Sequence, residues 1–164
     1  YFSQIQSDAF LFLYNQMFNG DISIEYQTDW NLVGLPLEVE ESLSNILFPE
    51  SIDGTLYSFD GGYNPETSLT QGKGYWLRFN DAGSTTISGI SMNENSIQLN
   101  DGWNLISGLS EDISVFSILD LDSIIIPGTF YGFNGGYIET AILEPGEGYW
   151  VRASSSGSIT LISD

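Results

Sequence analysis

Two short segments of the chain combine a tyrosine, a tryptophan and an arginine in the same order. Gly-Tyr-Trp-Leu-Arg occupies positions 74–78, and Gly-Tyr-Trp-Val-Arg occupies positions 148–152. In a β-strand alternate side chains share a face, so the tryptophan of each segment lies beside its arginine. An aromatic plane next to a guanidinium that donates paired hydrogen bonds is suited to binding a sugar. The candidate ligand-binding residues are Trp76, Arg78, Trp150 and Arg152.

The same geometry also predicts a purely structural role. Tyr75 and Leu77 then enter the core from the opposite face of the first strand, while Arg78 covers Trp76 as a cation–π pair. A motif present twice in one chain favours this interpretation, because repeats more often preserve a fold than a ligand site. Exposure of the rings distinguishes the two: open, coplanar Trp76 and Trp150 favour sugar binding, and covered rings favour a structural role.

The composition argues against catalysis and against most metal sites. The chain of 164 residues contains no cysteine and no histidine, which removes thiolate nucleophiles, the commonest general base and the usual ligands of zinc and copper. Neighbouring acids such as Glu40 and Glu41 fall together on one segment, whereas catalytic carboxylate pairs face each other across a cleft. We expect no enzyme activity, no cofactor and no metal. Calcium on loop carboxylates such as Asp120 and Asp122 is the one alternative.

The charge balance excludes whole classes of partner. There are 22 acidic residues against three basic ones, for a net charge of −19. A field of this sign repels nucleic-acid phosphates and anionic membranes. The longest apolar run, residues 9–14, is too short to span a bilayer. We therefore expect neither nucleic-acid binding nor membrane insertion, and an acidic surface suited to a salty medium.

Three stretches of the sequence recur in the same order with an offset of 73 or 74 residues. Matching order over such a length indicates an internal duplication. The matched stretches are 23–32 with 96–105, 56–63 with 130–137, and 72–78 with 146–152.

The duplication divides the chain into three parts. Residues 1–20 form an N-terminal extension that is either a helix or a strand, because both faces of either element are apolar. Residues 21–93 form the first copy and residues 94–164 the second. We expect the copies to pack on each other about a pseudo-twofold axis as one compact unit.

Each copy predicts several short strands and one short helix. An Asp60-Gly61 or Asn134-Gly135 step supplies the positive φ of a hairpin turn. The helix of the first copy has its apolar stripe at Val39, Leu43, Ile46 and Leu47; that of the second begins after Ser110 as N-cap, with Ile113, Phe116 and Leu119 as its stripe. The predicted fold class is mostly β (α+β).

The duplicated pattern resembles a repeated module of secreted and cell-surface proteins of marine, Bacteroidetes-type bacteria. The resemblance rests on a Trp-Asn-Leu strand, a Tyr-x-Phe-Asp-Gly-Gly-Tyr turn and the Gly-Tyr-Trp-x-Arg strand. In this chain they lie at positions 30–36, 57–63 and 69–78, and again at 103–108, 131–137 and 143–152. The resemblance implies an extracellular or cell-surface location and no catalytic residues.

The expected function is therefore a non-catalytic, secreted or surface-displayed structural and interaction module of a larger protein. The alternative is a carbohydrate-binding module that uses the tryptophan and arginine side chains together with nearby carboxylates. Polysaccharide or neighbouring domains of the parent protein are the expected partners.

Overall fold

The computed structural model describes residues 3–10 and 19–164. Strands account for 51% of it and helices for 10%, arranged as several antiparallel sheets. The predicted mostly-β fold is confirmed. The duplication and its twofold axis stay predictions, and below "first half" and "second half" denote residues 21–93 and 94–164.

The N-terminal extension contains one helix, α1, at residues 3–10. The exposed side chains of α1 contribute nothing to the core, and strand β1 already begins at Asn19. The described part of the extension thus holds α1 and the first two residues of β1, and the rest of the segment on which the helix-or-strand prediction falls lies outside the described residues.

The first half is built from seven strands and one helix. They are β1 (Asn19–Tyr26), β2 (Asp29–Gly34), β3 (Leu37–Glu38), α2 (Ser44–Leu47), β4 (Tyr57–Phe59), β5 (Tyr63–Pro65), β6 (Gly74–Phe79) and β7 (Gly83–Ser91).

The second half is built from eight strands and one 3₁₀ turn. They are β8 (Glu94–Leu99), β9 (Gly102–Ser107), β10 (Ile113–Ser114), the 3₁₀ turn Val115–Ser117, β11 (Tyr131–Phe133), β12 (Tyr137–Glu139), β13 (Ile142–Leu143), β14 (Gly148–Ala153) and β15 (Gly157–Ile162).

The main sheets of the two halves have the same strand order. The first runs β2-β6-β4-β5, and the second runs β9-β14-β11-β12. In each half the first strand also pairs with the last, β1 with β7 and β8 with β15. The hairpins β4–β5 and β11–β12 turn at Gly61 and Gly135, whose φ angles of 67° and 71° are those predicted for Asp-Gly and Asn-Gly steps.

Local hydrogen bonds explain the repeated Trp-Asn-Leu segments. The Asn31 side chain accepts from the Gln27 N–H at 2.9 Å and donates to the Gln27 carbonyl oxygen at 2.8 Å. Asn104 makes the same pair of bonds with Asn100, at 2.8 and 2.9 Å. Each asparagine thereby closes the turn that leads into β2 or β9.

Each half has its own apolar core, and a third apolar cluster lies between them. Tyr75 and Leu77 are 2% and 1% exposed, as the strand alternation predicts. The cluster between the halves contains Leu32, Leu105 and Trp150, packed against partly buried aromatic rings. The halves are also joined through the backbone, since Gly34 N–H donates to the Gly146 carbonyl oxygen at 2.9 Å.

The predicted helices are shorter than expected. In the first half only Ser44–Leu47 is helical. The Ser44 N–H donates to the Thr67 carbonyl oxygen at 2.9 Å, and the Leu69 N–H donates to the Ser42 carbonyl oxygen at 2.9 Å. This pairing with a neighbouring loop uses backbone groups that a longer helix would need, so Val39 lies outside the helix.

The helix predicted for the second half, with the stripe Ile113, Phe116 and Leu119, is wrong, because no α-helix forms there. Ile113–Ser114 is a strand that pairs with Ile142–Leu143, and only Val115–Ser117 forms a 3₁₀ turn. The Ser110 hydroxyl does not cap a helix; it donates to the Pro36 carbonyl oxygen at 2.6 Å and links the two halves. A tertiary contact thus replaces the local cap. Among the described residues no helix has the length and apolar character to cross a membrane.

Candidate binding site

Strands β6 and β14 place the predicted site residues as the sequence indicates. Trp76 and Arg78 share one face of β6, while Tyr75 and Leu77 lie on the buried face. The Tyr75 hydroxyl accepts a hydrogen bond from the Thr70 N–H at 2.8 Å. The Tyr149 hydroxyl accepts equally from the Glu144 N–H at 2.8 Å. The tyrosines of the repeated pentapeptides thus anchor the loops that precede their own strands.

Trp76 belongs to a chain of four aromatic rings that crosses from one half to the other. Its ring centroid lies 6.4 Å from that of Trp30, with the planes at 85°. On its other side Trp76 meets Phe133 edge to face at 4.9 Å, and Phe133 meets Tyr137 at 5.5 Å. A phenylalanine of the second half therefore covers the tryptophan of the first.

Trp150 belongs to a second chain with nearly the same geometry. Its centroid lies 6.4 Å from that of Trp103 and 4.9 Å from that of Phe59, and Phe59 lies 5.4 Å from Tyr63. Here a phenylalanine of the first half covers the tryptophan of the second. The two chains interlock the halves, because edge-to-face pairs stabilise beyond the area they bury.

The exposed rings of these chains are not the predicted tryptophans. Trp150 is 8% exposed and Trp76 is half-buried, whereas Trp103, Tyr63 and Tyr137 are 42%, 56% and 59% exposed. None of these three rings is among the site residues predicted from the sequence. Trp103 lies in a repeated Trp-Asn-Leu segment, and Tyr63 and Tyr137 end the two repeated Gly-Gly-Tyr segments, so their recurrence in both halves was the available signal.

The aromatic chains line two open pockets, one in each half, each completed by a phenylalanine of the other half. The pocket of the second half has a volume of about 520 Å³ and that of the first about 530 Å³. The second-half pocket is lined by Phe59, Trp103, Thr129, Tyr131, Tyr137, Trp150 and Arg152. The first-half pocket is lined by Trp30, Thr55, Tyr57, Tyr63, Trp76 and Phe133.

The two predicted arginines have different surroundings. The Arg78 guanidinium carbon lies 5.9 Å from the Trp30 ring centroid, and Arg78 Nε lies 2.6 Å from Asp29 Oδ1. The predicted cation–π pair with Trp76 is wrong, because the antiparallel register places Trp30 directly opposite Arg78. Arg152 lines its pocket, and among the described residues no carboxylate lies within ion-pair distance of it.

The difference between the arginines follows from one position. Asp29 precedes Trp30 at the start of β2, and the equivalent residue before Trp103 in β9 is Gly102. Both have a positive φ, 78° at Asp29 and 93° at Gly102. The second half therefore keeps the turn but lacks the carboxylate that neutralises Arg78.

The Trp150 indole N–H has an unusual environment. The Nε1 atom is buried and has no partner with hydrogen-bond geometry in the part of the chain that the structure describes. The Tyr137 hydroxyl nevertheless lies close by. Partial burial, and next the Tyr63 hydroxyl, raise the pKa of Tyr137, while the Trp150 indole acts in the opposite direction.

A separate acidic cavity lies between the halves beside β14. It has a volume of about 310 Å³, and Glu25, Glu139, Glu144 and Glu147 contribute to its wall. Burial, and next the Glu144 carboxylate, raise the pKa of Glu147 to about 7. The described residues contain no group of three or more acidic side chains placed to hold a metal ion.

The loop carboxylate considered for calcium has backbone partners. Asp120 Oδ1 accepts from the Ile124 N–H at 2.9 Å, and Oδ2 accepts from the Ile125 N–H at 2.8 Å. This carboxylate therefore organises its own loop.

Comparison of the chain with models of protein families, with curated proteins and with solved structures finds no match. The resemblance to a repeated module of bacterial surface proteins stays a prediction.

Proposed function

We propose that the chain is a non-catalytic structural and interaction module of a larger secreted or surface-displayed protein. The observation that carries the proposal is the pair of interlocked aromatic chains, in which Phe133 covers Trp76 and Phe59 covers Trp150. The most distinctive residues of the repeated pentapeptides thus hold the two halves together. A net charge of −19 supports a place in a salty medium, where screening weakens self-repulsion.

Removing the covering phenylalanines tests the structural role. Phe59→Ala and Phe133→Ala should each lower the free energy of unfolding by about 1–2 kcal/mol, since each deletes a half-buried ring and an edge-to-face contact. Urea denaturation followed by tryptophan fluorescence measures the change. Phe116→Ala is the control, because Phe116 is 88% exposed and should leave the midpoint unchanged. If Phe59→Ala and Phe133→Ala both unfold at the urea midpoint of the parent, the packing of Trp150 and Trp76 against the opposite half does not contribute to stability.

A second function, carbohydrate binding, is favoured by the two open pockets. Each has an aromatic floor and an exposed ring at its mouth, which suits stacking against the C–H face of a pyranose. The exposed rings are Tyr63 in the first-half pocket and Trp103 and Tyr137 in the second-half pocket. Trp76 and Trp150 line the same two pockets as more deeply buried rings.

A glycan array tests the second function. We expect the parental chain to bind one glycan class, and Trp103→Ala to reduce that signal about tenfold or more while the protein stays folded. Ile162→Ala, a substitution of an exposed apolar residue in β15, should keep full binding. Undiminished binding by the Trp103 variant would place the sugar site elsewhere.

A further inference from the structure

We propose that the pocket of the second half binds an anionic pyranose unit of a polysaccharide, with its carboxylate or sulfate on Arg152 and its C–H face on Trp103. This inference rests on the carbohydrate-binding function and names the class of sugar. The first-half pocket is expected to bind such a unit much more weakly.

The charge of the second-half pocket favours an anionic ligand. Arg152 is the one charged side chain among the lining residues of the second-half pocket. The chain has three basic residues against 22 acidic ones, so a basic side chain at an aromatic pocket is uncommon in it, and in the described part of the chain Arg152 has no ion-pair partner. A planar guanidinium binds carboxylate and sulfate through two parallel hydrogen bonds. The local chemistry selects an anion.

In the first half, the arginine that corresponds to Arg152 is neutralised by a carboxylate. Asp29 Oδ1 lies 2.6 Å from Arg78 Nε in an ion pair, and Arg78 does not line the first-half pocket. Gly102 occupies the place of Asp29 in the second half, and a Cβ atom added there meets nothing within 4 Å. The space that a carboxylate would fill in front of Arg152 is open, so a ligand anion can take it.

The aromatic side chains of the second-half pocket favour a sugar ring. Trp103 is 42% exposed and stands beside the buried Trp150 ring. The indole N–H of Trp150 has no partner with hydrogen-bond geometry among the described residues, and a buried donor without an acceptor destabilises the free protein. The Tyr137 hydroxyl lies close to this N–H, and Tyr137 and Arg152 both line the pocket. The Trp103 ring and the Arg152 cation thus face one pocket, where a single anionic pyranose can contact both.

The overall negative charge does not exclude such a ligand. Repulsion from exposed carboxylates is screened over about 10 Å at 0.1 M ionic strength. None of the residues that line this pocket is acidic. A ligand anion in this pocket thus contacts Arg152 directly and meets the exposed carboxylates only through screened repulsion. Binding through such a contact weakens less steeply with salt than a purely long-range attraction.

The experiment is affinity electrophoresis of the full chain at 0.15 M salt in gels that contain polygalacturonate, dextran sulfate, neutral dextran or polyglutamate. We expect retardation by at least one of the two anionic polysaccharides, with an apparent affinity about tenfold or more above that for dextran. Comparison of polygalacturonate with dextran sulfate identifies the carboxylate or the sulfate as the preferred group.

Three variants assign the binding to Arg152. Arg152→Gln should weaken it about tenfold or more, whereas Arg78→Gln, which changes the net charge equally, should leave it within about twofold. Gly102→Asp should also abolish tight binding, because it rebuilds the ion pair of the first half. Aspartate tolerates a positive φ better than most residues, and thermal denaturation checks that each variant stays folded.

One further variant tests for gain of binding. Asp29→Gly frees Arg78 at a position whose φ of 78° suits glycine. It should raise the number of sugar units bound per chain from one to two, measured by calorimetry with short galacturonate oligomers.

The outcomes separate this inference from the function on which it rests. Equal binding of dextran, unaffected by Arg152→Gln, would overturn the anionic specificity and leave carbohydrate binding in place. Binding of none of the three polysaccharides would overturn both. Equal binding of polyglutamate would show that charge without a sugar ring is sufficient, and would overturn the assignment of a glycan.

Discussion

Replacing Gly34 with serine should destabilise the protein by about 3 kcal/mol or more. A Cβ atom added at Gly34 lies 2.2 Å from Ser107 Cβ and 3.1 Å from the Glu147 carbonyl oxygen. Neither atom is the end of a flexible side chain, so the two halves must separate to make room. Separation breaks the hydrogen bond from Gly34 N–H to the Gly146 carbonyl oxygen. The measurement is the free energy of unfolding in urea.

A rescue variant makes this prediction specific. Ser107 occupies in the second half the position that Gly34 occupies in the first, so the space between them holds one Cβ atom and not two. Combining Gly34→Ser with Ser107→Gly should restore most of the lost stability. Combining it with Ser107→Ala should not, because alanine keeps the Cβ atom. Equal stability of the two double variants would contradict the proposed contact.

The single variant Ser107→Ala supplies the control. The Ser107 hydroxyl is buried and has no hydrogen-bond partner among the described residues. Its removal alone should therefore be neutral or slightly stabilising, since an unsatisfied buried hydroxyl costs free energy. A loss of stability in this variant would indicate that the hydroxyl has an acceptor in solution.

Replacing Glu147 with glutamine should stabilise the protein by about 1–3 kcal/mol above pH 7 and have little effect at pH 4. Burial, and next Glu144, raise the pKa of Glu147 from 4.5 to about 7 in the folded protein. Between these values the folded state keeps a proton that the unfolded state releases, so Glu147 makes stability fall as pH rises from about 4.5 to about 7. A shift of this size corresponds to about 3 kcal/mol at most. Glutamine cannot ionise, so the variant loses this dependence.

The measurement is the free energy of unfolding of parent and variant in urea at intervals from pH 4 to pH 8. The difference in free energy of unfolding between variant and parent should grow from about pH 4.5 to about pH 7 and stay constant above pH 7. Glu111→Gln removes the same charge from an exposed position and should change the free energy of unfolding by less than about 0.5 kcal/mol. A constant difference between Glu147→Gln and the parent at every pH would mean that Glu147 titrates normally.

One repeated position differs in charge and burial between the two halves. Position 73 of the first half is Lys73, which is exposed, and its equivalent in the second half is Glu147, which is half-buried. Both form an isolated backbone bridge to the opposite half, Lys73 with Ile106 and Glu147 with Val33. The two positions thus share the backbone bridge to the opposite half, but their side chains differ in charge and in burial.

Features that depend on neighbouring residues could be predicted from the sequence. Tyr75 and Leu77 enter the core and Trp76 and Arg78 share the opposite face, because alternation along a strand is a property of the backbone itself. Gly61 adopts the positive φ of a hairpin turn, because glycine has no Cβ atom and reaches this conformation without a steric penalty. The mostly-β class follows from the same local signals, repeated along the chain.

The lengths of the predicted helices depend on contacts with residues distant in sequence. The apolar spacing at Val39, Leu43 and Leu47 fits a helix, yet pairing of Ser44 with Thr67 confines the helix to one turn. A single turn gains few internal hydrogen bonds. A pairing partner more than 20 residues away therefore decides the outcome.

The tertiary structure alone decided which surfaces the candidate residues contact. Strand alternation places Trp76 and Trp150 on one face of their strands, but only the packing of the halves puts Phe133 and Phe59 over them and leaves Trp103 open. The ion pair of Arg78 depends likewise on Asp29, 49 residues earlier in the chain. Periodicity reports which face of a strand is apolar, whereas the partner of that face is set by the total free energy of burying surfaces distant in sequence.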